Sequence, residues 1–464
     1  MQVMKKMDLT TGPILPSIVK VAIPTLMLSL IQMTYNLADL FWVGRVDQIG
    51  LDPIEAIAAV GTVGFFPWFG FGMIMMVRIG TSVRVAQAAG RNDQARVQAL
   101  VNNGLVAMFV LSLIYMSYGF FFASHYVALF RLDNANVIAY AENYLRILSG
   151  FGFAFFLVNF FNGVYEGLGK TLNSFYINGI GFLINLILDP IFILTFGLGV
   201  EGAAIATVIA QSTMLIIYVV IYLSPRQPAK LKIFAERSFS TIKDILRVGF
   251  PAGLQSMVMT SIAIVVGVLV AQYGERAISI SRIGSQIEAL SWMIASGFQV
   301  ALAAFVGQNY GAYQTPRINE GYKASLKILV PYGLAINVIL FVFARPLFGL
   351  FVQDPQTLDG GVTYLRILSI SQLFMMLELM SAGAFNGVGK THVPSIVGMS
   401  FNLLRIPWAL FALNVTGIWW GISMTSVFKG SVLLMLFLIT LKRLMADHET
   451  RLSVAKTEWL KYNN

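Results

Sequence analysis

The sequence predicts an all-α integral membrane protein with twelve transmembrane helices in two six-helix lobes, related by an internal parallel repeat. Three observations predict this fold class: the apolar composition, the number of long apolar segments, and short phrases that recur at a nearly constant offset. Of the 464 residues, 57% are hydrophobic and only 12% are charged, against about 25% charged residues in a typical soluble domain. A chain of this length and composition cannot cover its apolar side chains with polar surface, so we expect it to reside in a lipid bilayer.

A helix needs about 20 mostly apolar residues to cross the hydrocarbon core of a bilayer, and twelve segments meet this requirement. The residues before the first segment lack the apolar core of a cleavable signal peptide, so the first helix is expected to be retained. The predicted spans 1 to 12 are 14–44, 55–78, 97–123, 136–163, 172–197, 202–224, 244–272, 283–306, 320–343, 360–384, 393–414 and 417–441.

Positive charge is distributed unevenly between the two sides of these spans. With the N-terminus placed in the cytoplasm, most of the 32 Lys and Arg residues fall at the inner ends of spans or in inner loops. The positive-inside rule therefore predicts that both termini are cytoplasmic. This use of basic residues accounts for the net charge of +10 without a nucleic-acid partner. With no cysteine and three scattered histidines, we expect no metalloenzyme and no bound cofactor.

Two phrases occur twice at an offset of 220 residues: GLGKT at 167–171 with GVGKT at 387–391, and YLRILS at 144–149 with YLRILS at 364–369. Because six helices separate the copies, the two halves are predicted to have the same orientation in the membrane. The predicted organisation is an N-terminal lobe 1–224, a cytoplasmic linker 225–243, a C-terminal lobe 244–445 and a cytoplasmic tail 446–464.

The Gly-Lys-Thr ending of the first phrase also occurs in nucleotide-binding loops. A P-loop requires a further glycine five residues earlier, so that backbone amides can surround the phosphates. That position is Val164 in the first copy and Ala384 in the second. The phrase is therefore interpreted as a mark of duplication whose glycines form a tight turn.

Polar residues within span 1 fall on one helical face. Gln32, Tyr35, Asn36 and Asp39 recur at spacings that bring them together on an α-helix. Pro24, fifteen residues before Asp39, removes a backbone hydrogen bond and permits a bend. Ionisable groups in the hydrocarbon region are costly and usually functional, so this face is a candidate site.

Span 5 carries a similar face. Asn178, Asn185 and Asp189 follow spacings of 7 and 4, and Pro190 comes next. Asp189 lies at about the same predicted depth as Asp39, so the two acids can share one polar cavity. Such a pair can take up and release a proton, or coordinate Na⁺ together with amide oxygens. A static hydrogen-bond network between helices is the alternative.

Glu378 in span 10 has no polar neighbours along its own helix, and Arg405 in span 11 is its expected partner, as a structural salt bridge or part of a substrate wall. Glu288 is predicted near the outer end of span 8. Met33 and Tyr35 are the sort of adaptable and aromatic side chains that suit bulky cationic ligands.

Taken together, these features resemble the multidrug and toxic compound extrusion (MATE) transporters over nearly the whole chain, and within them the DinF-like branch. The resemblance rests on twelve helices in two lobes, on Gln-x-x-Gly after spans 2 and 8 (87–90 and 308–311), and on GVEGAAIAT at 199–207. The residues that match the N-terminal network of that branch are Pro24, Gln32, Asp39, Tyr144, Asn162, Asn185, Asp189 and Thr207. An acid that NorM-type members carry in helix 7 has no counterpart in span 7.

The resemblance implies an antiporter that exports organic cations and other amphipathic compounds in exchange for H⁺, with Na⁺ as the alternative coupling ion. It implies a monomer in the cell membrane with small-molecule substrates, and a bend in helix 1 at Pro24. The implied ion-coupling residues are Asp39, Asp189, Asn185, Asn162, Tyr144 and Thr207. If Na⁺ is the coupling ion, the residues implied to bind it are Asp39, Asp189 and Asn185. The expected substrate cavity contains Gln32, Met33, Tyr35, Asn36 and Glu378. A lipid-linked precursor flippase, a membrane-embedded enzyme and a channel remain as competing interpretations.

Overall fold

The computed structural model describes residues 9–224, 237–352 and 354–463, with the side chains of Asn36, Leu37, Phe65 and 451–463 left aside. Within these residues the chain is helical and contains no strand. The α-helices are α1 (Ile14–Val43), α2 (Pro53–Val63), α3 (Phe65–Gly90), α4 (Gln94–Phe121), α5 (Ala123–Ala128), α6 (Ala135–Gly150), α7 (Gly152–Gly167), α8 (Thr171–Pro190), α9 (Gly199–Leu223), α10 (Phe239–Ala271), α11 (Glu275–Gly311), α12 (Thr315–Val342), α13 (Ala344–Gly349), α14 (Pro355–Ser369), α15 (Gln372–Val388), α16 (His392–Leu403), α17 (Arg405–Phe411) and α18 (Val415–Asn463).

The number of membrane-spanning elements agrees closely with the prediction. In the described part of the chain, nine helical segments are long and apolar enough to cross a membrane, and two bent helix pairs raise the number to eleven. The all-α integral membrane fold is thereby confirmed. The predicted span 393–414 differs, because it is divided at Leu404 into α16 and α17. Pro407, just inside α17, lacks the N–H that would continue the hydrogen-bond ladder from α16.

Two predicted spans are bent at equivalent places. The span predicted at 136–163 breaks by 51° between α6 and α7, and the span predicted at 360–384 breaks by 46° between α14 and α15. Each break lies within two residues of the end of the repeated YLRILS phrase. The duplication is thus present in the backbone as well as in the sequence, which agrees with the predicted internal repeat.

The repeated GxGKT phrase forms the same turn twice. Gly169 and Gly389 have φ values of +70° and +88°, in the left-handed region that favours glycine. The amide of Lys170 donates to the carbonyl of Tyr165 at 2.8 Å, and the corresponding bond of Lys390 is 3.0 Å long. The expected tight turn is confirmed. It joins two helices rather than a strand and a helix, which is not the setting of a P-loop.

Several helices extend beyond the predicted spans. α10 begins at Phe239, inside the predicted linker, whose residues 225–236 lie outside the described chain. α11 begins at Glu275, eight residues before the predicted start at 283, so Glu288 lies well inside this helix rather than near its end. α18 continues as a helix through the predicted tail to Asn463.

The described residues form two compact units. Unit N consists of Pro24–Val85 and Asp93–Met257, and unit C consists of the described parts of Met1–Ile23, Ala86–Asn92 and Val258–Asn464. The predicted lobe boundaries stay a prediction. Unit N has an aromatic interior in which Phe161 stacks on Tyr218 at 5.2 Å between ring centroids. In unit C, Tyr322 and Phe385 both pack on Phe437.

The two Gln-x-x-Gly motifs meet within unit C. A Cβ on Gly90 would lie 1.9 Å from the carbonyl oxygen of Gln308, and a Cβ on Gly311 would lie 2.0 Å from the carbonyl oxygen of Gln87. Each glycine therefore packs directly against the backbone of the other motif. The absence of a side chain at both positions permits this close helix crossing.

Candidate functional site

α1 brings Asp39 into unit N. Asp39 lies fifteen residues after Pro24, which stands inside this 30-residue helix. Proline has no N–H, so the carbonyl of Lys20 lacks its usual helical donor. The side chain of Asp39 is partly buried, and its Oδ1 atom is enclosed without a hydrogen-bond donor from the described residues. This oxygen has lost contact with water without gaining a donor in the protein.

α8 contributes the second acid. Asp189 and Asn185 are both fully buried, and the Asn185 side-chain amide donates to Asp189 Oδ1 at 3.0 Å. The next residue is Pro190, after which the chain forms a π-helical turn over Ile191–Thr195. Widened turns of this kind are rare in proteins, and a large share of them lie at functional sites. The local backbone thus departs from regular helix directly beside the buried carboxyl group.

The two acids meet. The carboxyl groups of Asp39 and Asp189 lie within hydrogen-bonding contact, and Asn185 contacts both. Three oxygens in this group accept no hydrogen bond from a described donor: Asp39 Oδ1, Asp189 Oδ2 and Asn185 Oδ1. Two adjoining carboxylates repel each other unless a proton or a cation lies between them. The arrangement therefore has a place for one positive charge.

Three hydroxyl-bearing residues surround this pair. Tyr35 interacts electrostatically with both acids and with Tyr144, and its hydroxyl approaches that of Thr207. Tyr144 interacts with both acids as well. The hydroxyl oxygens of Tyr35 and Thr207 are enclosed and make no hydrogen bond of good geometry within the described chain. The structure thus brings five of the six predicted ion-coupling residues together, and Tyr35 from the predicted cavity joins them.

Asn162 is the predicted ion-coupling residue that lies elsewhere. Its Oδ1 atom accepts hydrogen bonds from the Tyr218 hydroxyl at 2.5 Å and from the Asn178 amide at 2.9 Å. Asn178 precedes Asn185 by seven residues on α8, a distance of about 10 Å along the helix axis. Asn162 also follows the bend between α6 and α7, whereas Tyr144 precedes it. No contact of Asn162 with the acid pair is observed, and its coupling role stays a prediction.

The remaining cavity candidates on α1 are less enclosed. Gln32 is exposed, and no polar contact joins it to the acid pair. Met33 is partly buried. The side chain of Asn36 lies outside the described residues. Their assignment to a substrate cavity stays a prediction.

In unit C, the partner of Glu378 differs from the expected one. Lys429 Nζ lies 3.0 Å from Glu378 Oε1, and both side chains are nearly buried. Arg405 acts on Glu378 only through longer-range electrostatics, so the expected direct Glu378–Arg405 salt bridge is wrong. Arg405 instead donates to Thr425 at 3.0 Å and to Ser426 at 2.9 Å.

A second ion pair was not foreseen from sequence. Arg78 of α3 forms a salt bridge with Glu166 of α7, and its Nη1 atom donates to Asn159 Oδ1 at 3.1 Å. Both charged side chains are largely buried. The sequence signal is weak, because Arg78 stands at the end of a predicted span, where basic residues are common, and Glu166 stands beside the GxGKT turn.

The donor set of the acid pair limits which ions it suits. No group of three or more His, Cys, Asp or Glu side chains that could hold a metal ion occurs among the residues described. Two carboxylates with an amide oxygen and hydroxyl groups form an all-oxygen set. Such a set suits a proton or a hard cation rather than a transition metal.

Comparison with known proteins places these features in a family. The family model MatE matches residues 24–191 and 251–411, which together form more than half of the chain. The fold, with one matched range in each half of the chain, defines a duplicated membrane transporter. The protein belongs to the MatE family.

Curated relatives match over nearly their whole length. The chain is 24% identical over 431 residues to "Probable multidrug resistance protein NorM" of Thermotoga maritima, covering 91% of each chain. It is 25% identical over 432 residues to "Probable multidrug resistance protein YpnP" of Bacillus subtilis, covering 92% of this chain and 95% of the relative. It is 21% identical over 445 residues to "Multidrug export protein MepA" of Staphylococcus aureus, covering 94% and 96%.

Solved structures share the fold. A MOP superfamily transporter from Pyrococcus furiosus matches with a TM-score of 0.86 at 24% identity, over 96% of this chain and all of the other. A MATE structure in the bent conformation matches with a TM-score of 0.89 at 23% identity, over 97% and 100%. At these identities the likeness establishes the fold alone.

Proposed function

We propose that the protein is a proton-coupled antiporter that exports organic cations and other amphipathic compounds by alternating access. The observation that carries the proposal is the contact between the Asp39 and Asp189 carboxyl groups, with three enclosed oxygens that receive no donor. This is a place for an exogenous positive charge inside a transporter fold. The names of the curated relatives, which describe multidrug resistance and export, support the substrate class.

The close carboxyl contact favours a proton as the coupling ion. One proton shared between Asp39 and Asp189 supplies a donor to an oxygen that otherwise lacks one and removes the repulsion between two charges. Loss of that proton restores the repulsion. Asp39 stands on a helix weakened at Pro24, so repulsion on α1 can be relieved by bending there. Proton release and helix movement are thereby linked.

Sodium is the alternative ion. Asp39, Asp189 and Asn185 each present an oxygen without a donor, and Tyr35 and Thr207 add hydroxyl oxygens nearby. These residues fit a hard monovalent cation, which they would hold by direct oxygen contacts. The same acids would then be coupled to a Na⁺ gradient. The two ions make opposite predictions in the experiment below.

In unit N, a substrate cavity is proposed to include Gln32, Met33, Tyr35 and Asn36, whose aromatic and thioether groups suit cations with apolar bodies. In unit C, Glu378 is proposed to contact the substrate. A lipid-linked precursor flippase is the competing function, and the partly buried Arg405 and the buried Lys429 of unit C favour it because such precursors are anionic. The glutamates beside them weigh against it.

The wider setting follows from the same proposal. We place the protein in the cell membrane as a monomer with both termini in the cytoplasm, in the DinF-like branch of its family. It acts without a bound cofactor, a nucleic-acid partner or enzymatic turnover. The basic residues at the predicted inner ends of the helices support this orientation.

The test uses purified protein in proteoliposomes with ethidium as a fluorescent organic cation. A pH gradient and a Na⁺ gradient are imposed separately on the wild type, on Asp39→Asn, and on Asp133→Asn as a control at an exposed acid. Transport driven by the pH gradient alone, lost in Asp39→Asn and kept in the control, is the expected result. Transport that requires Na⁺ would change the coupling ion. Normal coupled transport by Asp39→Asn at normal expression would overturn the proposed role of Asp39.

If neither gradient drives ethidium transport by the wild type, antiport of organic cations is wrong. Lipid-linked anionic substrates would then be tested by the same gradients in flippase assays.

A further inference from the structure

The first half of α10 presents a line of exposed side chains. Phe239, Lys243, Arg247, Phe250 and Leu254 are all exposed, and their spacings of four, four, three and four residues place them on one face of the helix. We call this face the α10 stripe. Along the helix, its two cations lie between two phenylalanines.

The two cations of the α10 stripe have no counter-charge among the described residues. The side chains of Lys243 and Arg247 form no ion pair or hydrogen bond with another residue in this part of the chain. Asp244 is their neighbour in sequence, but its carboxylate is engaged by Arg84 of α3 and Arg96 of α4. The α10 stripe therefore presents two positive charges that an anion from outside the protein can neutralise.

The opposite face of this half of α10 is fixed within unit N. Thr241 and Ile245 are buried, and Arg96 Nη1 donates to Thr241 Oγ1 at 3.1 Å. A Cβ on Gly249 would lie 1.9 Å from the carbonyl oxygen of Met76, so the backbones of α10 and α3 are in direct contact. Because a helix packed in this way cannot rotate about its axis, the α10 stripe is held on the outer surface of the unit.

The length of α10 places the two cations at the level of the lipid headgroups. Its 33 residues extend about 50 Å at about 1.5 Å per residue, whereas the hydrocarbon core of a bilayer is about 30 Å thick. Arg247 and Lys243 lie about 36 and 42 Å along the axis from Ala271, the last residue of the helix. With Ala271 at one edge of the core, both cations lie beyond the other edge, whereas Phe250 lies at that edge and Leu254 inside the core.

We propose that the α10 stripe binds an anionic phospholipid, with its phosphate at Lys243 and Arg247 and its acyl chains against Phe250 and Leu254. A guanidinium can donate two hydrogen bonds to a phosphate, and an ammonium adds a compact charge beside it. Basic residues at the cytoplasmic edge of a membrane attract anionic headgroups, and the proposed orientation places the α10 stripe on that side. The inference concerns lipid binding and does not rest on the proposed export function.

Charge and the apolar neighbours together select this ligand. Phosphatidylglycerol presents a phosphate without a cation of its own, so Lys243 and Arg247 act on an uncompensated charge. In phosphatidylcholine the choline group neutralises the phosphate and is repelled by the same two side chains. A free phosphate compound satisfies the cations but leaves Phe250 and Leu254 exposed, so it should compete poorly with the lipid.

The experiment measures lipid affinity by native mass spectrometry of the full-length protein in detergent. Dioleoyl phosphatidylglycerol and dioleoyl phosphatidylcholine are titrated separately to obtain the Kd of the first bound lipid, and glycerol phosphate is added as a soluble competitor. The variant Lys243→Gln/Arg247→Gln removes both charges. The variant Lys243→Arg/Arg247→Lys exchanges the two side chains and keeps both charges.

The matched control is Lys323→Gln/Lys327→Gln. These lysines are also exposed and four residues apart, on α12, but the acid Glu320 is exposed one turn before them. Substitutions at such exposed positions change stability little, and size exclusion of every variant before the titration checks folding and oligomeric state.

The wild type is expected to bind phosphatidylglycerol about tenfold or more tightly than phosphatidylcholine. Each cation near an anionic lipid is worth about fivefold in affinity. Lys243→Gln/Arg247→Gln should therefore weaken phosphatidylglycerol binding by about 20-fold and leave phosphatidylcholine binding within about twofold. The exchanged variant should keep most of the affinity, and the control should lose about twofold at most.

Four outcomes would overturn the inference. If Lys243→Gln/Arg247→Gln keeps the wild-type preference for phosphatidylglycerol, the α10 stripe is not a lipid site. If the control weakens binding as much, the preference reflects diffuse charge rather than this face. If glycerol phosphate displaces the lipid at a similar concentration, the stripe takes a free anion. If Lys243→Gln/Arg247→Gln changes the oligomeric state and not the lipid affinity, the stripe is a contact between copies of the chain.

Discussion

The contact between the two Gln-x-x-Gly motifs provides a sharp test of the packing. Gly90 of α3 lies against the backbone of α11, and Gly311 of α11 lies against the backbone of α3. We predict that Gly90→Ala destabilises unit C, because the new methyl group would meet a carbonyl oxygen that belongs to a helix backbone. A flexible side chain could rotate away from the new methyl group, but a helix backbone must shift as a whole.

The magnitude follows from the distances. The methyl carbon introduced by Gly90→Ala would lie 1.9 Å from the carbonyl oxygen of Gln308, whereas real Cβ contacts do not fall below 3.0 Å. The helices must therefore separate locally by about 1 Å. Overpacking in a well-packed interior costs about 1–3 kcal/mol, and the backbone partner places this site near the upper limit. Since alanine gains up to about 1 kcal/mol over glycine in a helix, the net loss is about 2 kcal/mol.

Thermal unfolding in detergent, followed by tryptophan fluorescence and size exclusion, measures this effect. A loss of about 2 kcal/mol corresponds to a fall in Tm of about 4–8 °C for a unit of roughly 200 residues. Gly311→Ala should behave alike, and the double variant should lose less than the sum because both changes widen the same crossing. Gly267→Ala is the control, since its Cβ meets nothing within 4 Å. A Gly90→Ala protein at least as stable as Gly267→Ala would refute the reasoning.

Three further predictions concern single side chains. Lys429→Met should lower stability by about 3–5 kcal/mol because Glu378 loses its buried partner, and Lys429→Met/Glu378→Met should recover most of it in the same unfolding assay. The wild type should not bind ATP and Lys170→Ala should leave gradient-driven transport unchanged, whereas ATP binding by the wild type that is lost together with transport in Lys170→Ala would restore the P-loop interpretation. Hydrogen bonds from the hydroxyl and then the amide of Thr357 lower the pKa of Asp354. Since the folded pKa lies below the unfolded one, the cap stabilises the start of α14 above about pH 4 and is lost as the pH falls, which hydrogen exchange of this turn would detect.

Sequence reasoning predicted the residues of the acid pair because their positions follow helical periodicity. Asp39 shares a face with Tyr35, and Asp189 shares one with Asn185, so each half of the pair can be identified on a single helix. That the two helices meet could be suggested only from equal depth and the family resemblance. Contact between them depends on packing that no local pattern encodes.

Sequence reasoning missed the ion pairs, which depend on contact between helices, and the helix bends, which no proline marks. Lys429 stands 51 residues from Glu378, on another helix, and nothing in either segment specifies the pair. The bends after Gly150 and Ser369 occur without a proline. Arg78 and Glu166 meet because α3 and α7 are neighbours, which a list of spans does not reveal.

The two units neutralise buried carboxyl groups in different ways, and this difference bears on coupling. Asp39 and Asp189 have no cationic side chain among their described contacts, so their neutralisation requires an ion from outside the protein. Glu378 has Lys429 at 3.0 Å, and Glu288 lies in the field of Arg405 and Lys429. Under the proposed coupling, the occupancy of the acid pair depends on the ion gradient, whereas the charge balance of unit C does not. A mutation that removes a carboxyl group of the acid pair should therefore abolish gradient-driven transport, whereas Lys429→Met/Glu378→Met in unit C should leave the identity of the coupling ion unchanged.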